Sequence, residues 1–240
     1  MFPGIGTVIN ILTVTAGSLL GLLVGARLPA NINQLVMQAL ATVTLLVGLQ
    51  MALTAGGGAV IVVLMGLVSG AALGEAVNIQ RYFDALGQWL QARLAARSPL
   101  FSRFTEGFVT ASMLFCVGPM TVLGAIQDGL MGNPTILITK AALDGIAAMA
   151  LAAALGIGVL FSVFTIGIYQ GGLTAAAGLV RGLVSDPILD AVTAAGGLMI
   201  VALAFNMLGL TKIRVANLLP ALLTTALLAA LVQAWGLPAF

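Results

Sequence analysis

Apolar positions fall along this chain in long blocks rather than in alternation. Six stretches, at roughly 5–25, 34–54, 58–76, 107–130, 188–208 and 213–235, are nearly free of charge. Each approaches the about 20 residues with which an α-helix crosses a bilayer. A seventh tract, 135–183, is roughly 49 residues long, about twice that length. Divided near Gly156 to Ser162, it predicts spans at about 135–158 and 161–182, which makes eight in all. A membrane β-barrel would instead alternate apolar and polar residues over about 10 positions. Between the blocks lies one long loop, 77–105, in which Ile79, Phe83, Leu86, Leu90 and Leu94 recur at helical spacing. Arg81, Asp84, Gln88, Gln91 and Arg97 fall mainly on the other side, and Tyr82 and Trp89 suit the headgroup layer. The loop reads as an amphipathic helix on the membrane surface, with a solvated linker helix as the alternative.

Composition sharpens this to an all-α polytopic transmembrane bundle. Of 240 residues, 61% are apolar and 7% charged, with mean hydropathy +1.18; a soluble domain carries about 25% charged residues. A water-soluble enzyme is excluded, and the absence of histidine argues against a histidine-built metal centre or triad. We expect no enzymatic activity and no cofactor beyond a bound sodium ion. The net charge of +2 gives no basis for nucleic-acid binding. Cys116 is the one cysteine, so no intramolecular disulfide forms. The N-terminus MFPGIGTVIN lacks a basic n-region and cleavage site and reads as the start of the first span. With that end outside, Arg27, Arg81, Arg93, Arg97, Arg103, Lys212 and Arg214 face inside and only Arg181 lies in an outer loop. The bias favours eight spans over seven, an inner membrane and both termini outside; a re-entrant segment in the long tract is the rival.

We read 1–240 as a single transmembrane domain, with a first three-span block at 1–76, the surface helix at 77–105, two central spans at 106–160 and a last three-span block at 161–240. Gly6, Leu12, Thr13, Ala16 and Gly17 match Gly167, Leu173, Thr174, Ala177 and Gly178 at a constant offset, and Gln50-Met51 corresponds to Asn206-Met207. Chance in a biased composition is one explanation. If the match is structural, spans one to three recur as spans six to eight in inverted orientation, an arrangement found in secondary transporters with midplane sites. Gly17, Gly21 and Gly25, and again Gly66, Gly70 and Gly74, form rows that let a neighbouring backbone approach. They predict tight packing within the bundle, or contacts in a homo-oligomer.

Two interruptions suggest chemistry. Gly118-Pro119 falls near the middle of span four, flanked by Cys116 and Thr121; proline removes a backbone donor and clashes with the preceding turn. Gly171-Gly172 interrupts span six among Tyr169, Gln170 and Thr174. Interrupted backbone at membrane depth is tolerated only inside protein or beside a water-filled cavity, so both predict discontinuous helices lining a site; a proline kink and a tight glycine contact are the plain alternatives. Lys140 and Asp144 share a face of span five, with Asp144 roughly 4 Å from the midplane at 1.5 Å per residue. A lone charge there costs about 2.5–3.5 kcal/mol. Lys140 can pair with Asp144 structurally, or turn to Asp128 at the outer end of span four and leave Asp144 to couple or gate. Asn10, Thr13 and Asn206 add polar groups to the candidate substrate or ion site.

Together, GTVINILTVTAGSLLG, FCVGPMTVLGAIQDG, KAALDG, YQGGLT and KIRVANLLPAL resemble the bacterial inner-membrane family known as domain of unknown function 554, the YqgA-like or YdfK-like proteins, over essentially the whole chain. The resemblance implies a multi-span inner-membrane protein, often labelled a transporter, without assigned functional residues. The residues themselves favour a secondary transporter of a small solute or ion, driven by sodium or protons, with the lipid bilayer and that solute as its partners. An oligomeric channel and a non-transporting scaffold are the alternatives, the last predicting a dry interior in which Lys140 and Asp144 simply bridge.

Overall fold

The computed structural model describes residues 2–25, 29–82, 84–85, 89, 103–116, 119–180 and 185–235. The long apolar blocks become helices because a bilayer offers backbone groups no other partner than the helix itself. In order these are α1 (Ile5–Gly25), α2 (Ala30–Ala52), α3 (Ala59–Val77), α4 (Phe104–Cys116), α5 (Pro119–Met131), α6 (Thr135–Leu155), α7 (Gly158–Ala175), the short α8 (Ala177–Val180), α9 (Asp186–Met207), a 3-10 turn at Val215–Leu218 and α10 (Pro220–Ala234). Most of the surface helix anticipated over 77–105 lies outside the described residues; Ile79, Gln80, Arg81 and Tyr82 are helical.

Among the described residues, seven helical segments are long and apolar enough to cross a membrane, and α4 and α5, bent by 60° at their junction, make an eighth if the pair is one span. The packing of that pair decides whether it crosses or turns back. Phe104 at the start of α4 stacks edge-on against Phe161 at the start of α7, with ring centroids 5.3 Å apart. At the far end of the pair, Gly124 lies against Ile136 and Leu137 at the start of α6, and Gly129 against Thr174 at the end of α7. The bent pair therefore runs the length of α7 in the same direction and is a crossing span. The long tract divides where expected: Gly156, at φ 81°, a conformation suited to glycine, closes α6, and α7 begins two residues later.

The discontinuity expected in span six is not present. The α7 helix runs unbroken through Gly171 and Gly172 to Ala175. Glycine in a helix interior costs about 1 kcal/mol, whereas freeing backbone groups inside a bilayer costs several, so the helix continues. The discontinuity in span four is present; Gly118 lies outside the described residues, and Pro119 opens α5 at a first helical position, where its missing N–H is not needed.

The chain forms two compact units interleaved in sequence. The first comprises Met1–Leu40 and Ala85–Gly182, the second Ala41–Asp84 and Leu183–Phe240. In the first unit, α1 and α6 run parallel through the first glycine row: Gly17 meets the carbonyl of Gly145, Gly21 that of Met149 and Gly25 that of Ala153. In the second, α3 and α10 run antiparallel through the other row, where Gly66 meets Thr225, Gly70 meets Ala221 and Gly74 meets Asn217. Gly48 of α2 packs against Gly197 and Val201 of the antiparallel α9, and Val62, Val63, Ile188, Ala191, Ala194, Ala195 and Ala229 form an apolar core. Both glycine rows are thus filled within the protein by α6 and α10. Of the two outcomes expected for these rows, the structure shows the tight packing within the bundle.

Candidate functional site

The first unit gathers buried polar side chains from three helices. On α1, Thr7 and Asn10 lie on the face shared with Gly6, Val14 and Gly17, one turn apart at helical spacing. On α7, Gln170 and Thr174 share the buried face with Ser162 and Ile166. On α6, Lys140 and Asp144 lie on the face that also carries Leu137, Ala141 and Ala148. Asp144 is one residue from the centre of this helix of 21 residues, about 1.5 Å along the axis.

These groups form one hydrogen-bonded network. Lys140 Nζ pairs with Asp144 Oδ2. Asn10 Nδ2 donates to the same Asp144 oxygen at 3.1 Å and to Gln170 Oε1 at 3.0 Å. Gln170 Nε2 donates to Thr7 Oγ1 at 3.1 Å. Thr7 and Thr174 hydroxyls stand 3.5 Å apart, and Thr174 Oγ1 donates to the Gln170 carbonyl at 2.9 Å. Asn10 and Gln170 are both 0% exposed. Two oxygens facing one amide nitrogen fix the Asn10 orientation, because the reverse assignment would oppose three acceptors. Its Oδ1 is buried and has no hydrogen-bond partner among the described residues. An unpaired buried acceptor costs about 1–3 kcal/mol, and an ion pair at this depth recovers only part of its desolvation. Such an arrangement is not one that stability alone selects.

The other anticipated residues divide by location. Asp128 is fully buried on α5, but it does not meet Lys140: its Oδ2 accepts from the backbone N–H groups of Gly4 and Gly6 at 3.2 and 3.0 Å. It caps α1 from a neighbouring helix, where a carboxylate suits the positive end of the helix dipole. Its Oδ1 is also without a partner among the described residues. Thr121 Oγ1 donates to the Phe115 carbonyl at 3.2 Å and so bridges the break between α4 and α5. Cys116 is buried at the end of α4. Thr13 Oγ1 turns back to the Asn10 carbonyl at 3.0 Å rather than joining the network. A side chain at Gly171 would have only Thr7 Cγ2 near it, at 3.7 Å, and one at Gly172 would meet nothing within 4 Å; neither glycine is needed for close packing. Asn206 belongs to the second unit and braces the turn after α9, donating to the Ile213 carbonyl at 2.7 Å and accepting from Ile213 N and Thr211 Oγ1.

Thr7 was not anticipated, although it lies three residues before Asn10, as Thr174 lies four after Gln170, and both spacings place the pair on one helix face. Asn217 falls in the motif KIRVANLLPAL. It is buried in the second unit, donating to Glu75 Oε2 at 2.7 Å and accepting from Gln80 N at 2.7 Å, while Arg214 pairs with Glu75 at 2.7 Å.

Apolar spans with a buried ionic network define a polytopic α-helical membrane protein. The chain belongs to the family described as "Protein of unknown function (DUF554)", whose model matches residues 5–230. It is 28% identical to the uncharacterized membrane protein YdfK of Bacillus subtilis over 97% of this chain and 98% of that protein. It is 30% identical to the uncharacterized protein YqgA of Escherichia coli over 96% of this chain and 98% of that protein. No solved structure matches it.

Proposed function

We propose that this protein is a non-enzymatic secondary carrier of a small solute or ion in a bacterial inner membrane, coupled to sodium or protons at Asp144. The observation that carries the reading is the sharing of one buried carboxylate oxygen by Lys140 and Asn10, with Asn10 also tied to Gln170. A charge at membrane depth is costly and marks ion pathways by default. The antiparallel course of α1 against α7, α2 against α9 and α3 against α10 supports an inverted repeat of spans one to three as six to eight, the design of many carriers. The distribution of arginine and lysine supports both termini outside.

A scaffold would also close the Lys140–Asp144 bridge. It has no use, however, for the four uncharged polar side chains of Thr7, Asn10, Gln170 and Thr174 buried in one network with that bridge, or for an amide oxygen left without a partner. Purified protein reconstituted into liposomes and exposed to a sodium or pH gradient tests the reading. Wild type should dissipate one of the gradients, and Asp144→Asn should slow that flux at least about tenfold, the factor that about 1.4 kcal/mol of binding free energy represents. Undiminished flux in Asp144→Asn, or wild-type liposomes as tight as empty ones to both ions, would overturn it.

A further inference from the structure

Resting on the carrier reading, we infer that the part of the first unit around the N-terminal half of α1 takes a small protonated amine, ammonium or a short alkylammonium, whose N–H groups donate to Asp128 Oδ1 and Asn10 Oδ1. Three buried carbonyl or carboxylate oxygens of this unit have no partner among the described residues: Asn10 Oδ1, Gln127 Oε1 and Asp128 Oδ1. No buried side-chain nitrogen among the described residues is left in that condition. The imbalance selects a ligand that brings donors and no acceptors, which is the chemistry of an ammonium nitrogen. Asn10 and Asp128 are both 0% exposed. The Asn10 nitrogen faces Asp144 and Gln170, so its oxygen, on the other branch of the amide, points away from both and is available as it stands.

Charge and spacing narrow the class. Asp144 is offset by Lys140, whereas Asp128 Oδ2 is held by the backbone N–H groups of Gly4 and Gly6. Those groups carry only the partial charge of a helix end, so the free oxygen of this carboxylate favours a cation over a neutral donor. Asp128 reaches α1 at Gly6, and Asn10 lies four residues further on, about 6 Å along the axis at 1.5 Å per residue. A metal cation gathers several oxygens around one point. Oxygens offered singly, one helical turn apart, suit directional N–H bonds instead.

Packing gives the site one way in. The contact of α1 with α6 is backbone to backbone at Gly17 and Gly21, but the contact of α1 with α7 is loose. A side chain at Gly167 would meet only Ile11 at 3.6 Å, and one at Gly171 only Thr7 at 3.7 Å. One turn beyond Asn10, Asp144 and Gln170, away from the N-terminal end of α1, the same three helix faces carry Val14, Ala148 and Ile166. Each of these is 0% exposed. The polar layer thus ends against an apolar one, and the amine enters from the N-terminal end of α1.

The test is thermal unfolding of the purified full-length protein in detergent at neutral pH, in sodium-free buffer. Ammonium chloride and methylammonium chloride are titrated against potassium chloride at constant ionic strength. Potassium has the charge and nearly the radius of ammonium but no hydrogen to donate. A bound ligand raises the unfolding temperature by mass action, so both amines should raise it saturably and potassium should not. Asp128→Asn keeps an oxygen for Gly4 and Gly6 and puts an amide nitrogen where the free oxygen stands. It should weaken the response at least about tenfold, as loss of a hydrogen bond to a charged group does. Asn10→Ala should weaken it too, and Asn217→Ala, in the second unit, should keep it. No response to either amine, an equal response to potassium, or a response unaltered in Asp128→Asn or Asn10→Ala would overturn the inference. If wild type ignores both amines yet dissipates a sodium or proton gradient in liposomes, the amine site is wrong and the carrier reading stands. If it binds the amines but moves neither ion, the carrier reading fails and the site stands.

Discussion

The two units solve the same packing problem and then diverge. Each joins a helix pair through a glycine row at backbone contact, α1 with α6 in one and α3 with α10 in the other. The second unit surrounds its pair with an apolar core and keeps its ion pair, Glu75 with Arg214, about half exposed at the helix ends. The first unit buries an ion pair beside its glycine row and ties it to amides on two other helices. Glycine rows therefore report close approach and nothing more. What separates a structural helix pair from a candidate site is the charge and the uncharged polar groups that the close approach encloses.

The largest predicted effect breaks this contrast at its centre. Asp144→Leu leaves Lys140 buried without its partner and should cost about 3–5 kcal/mol, seen as loss of folded monomer on size exclusion in detergent. The double variant Lys140→Met/Asp144→Leu should recover most of that stability and none of the flux. Next, both rows should respond alike to bulk. Gly17→Val and Gly70→Val drive a side chain into the backbone of Gly145 or Ala221 and should each lose about 1–3 kcal/mol in thermal unfolding. Gly172→Ala, with open space at its Cβ, should gain about 0.4–1 kcal/mol. A destabilised Gly172→Ala would show that the α7 flank is tighter than its geometry indicates.

Smaller effects probe the second unit. Asn217→Ala removes one bond to Glu75 and one to the backbone of Gln80 and should cost about 1.5–3 kcal/mol, as for a hydrogen bond to a charged group, with flux per folded molecule unchanged. Arg214→Gln disrupts an exposed pair and should cost about 0–1 kcal/mol, an effect that vanishes in high salt. A strong flux defect in either variant would move the functional boundary into the second unit.

Much of this was legible in the residues. Span lengths follow from bilayer thickness, so the boundaries of α1 and α9 and the turn at Gly156 were readable without coordinates. The proline in span four was a sound signal, since it removes a donor wherever it sits in a helix. The Gly-Gly pair in span six was a poor one, because glycine permits a break without requiring it. Asn206 looked like a site amide but closes its own turn, a local role that a list of polar residues does not distinguish from a binding one.

The sequence by itself determined the membrane class, the helical spans and the shared helix face of Lys140 and Asp144, because each depends on spacing within one segment. Only the tertiary structure decided that Asn10 and Gln170 join that pair, that Asp128 turns to α1 instead, and that both glycine rows are filled from within. Those outcomes depend on which helix faces meet across separations of more than a hundred residues. Hydrophobic periodicity marks a buried face but carries no information about the face that will cover it.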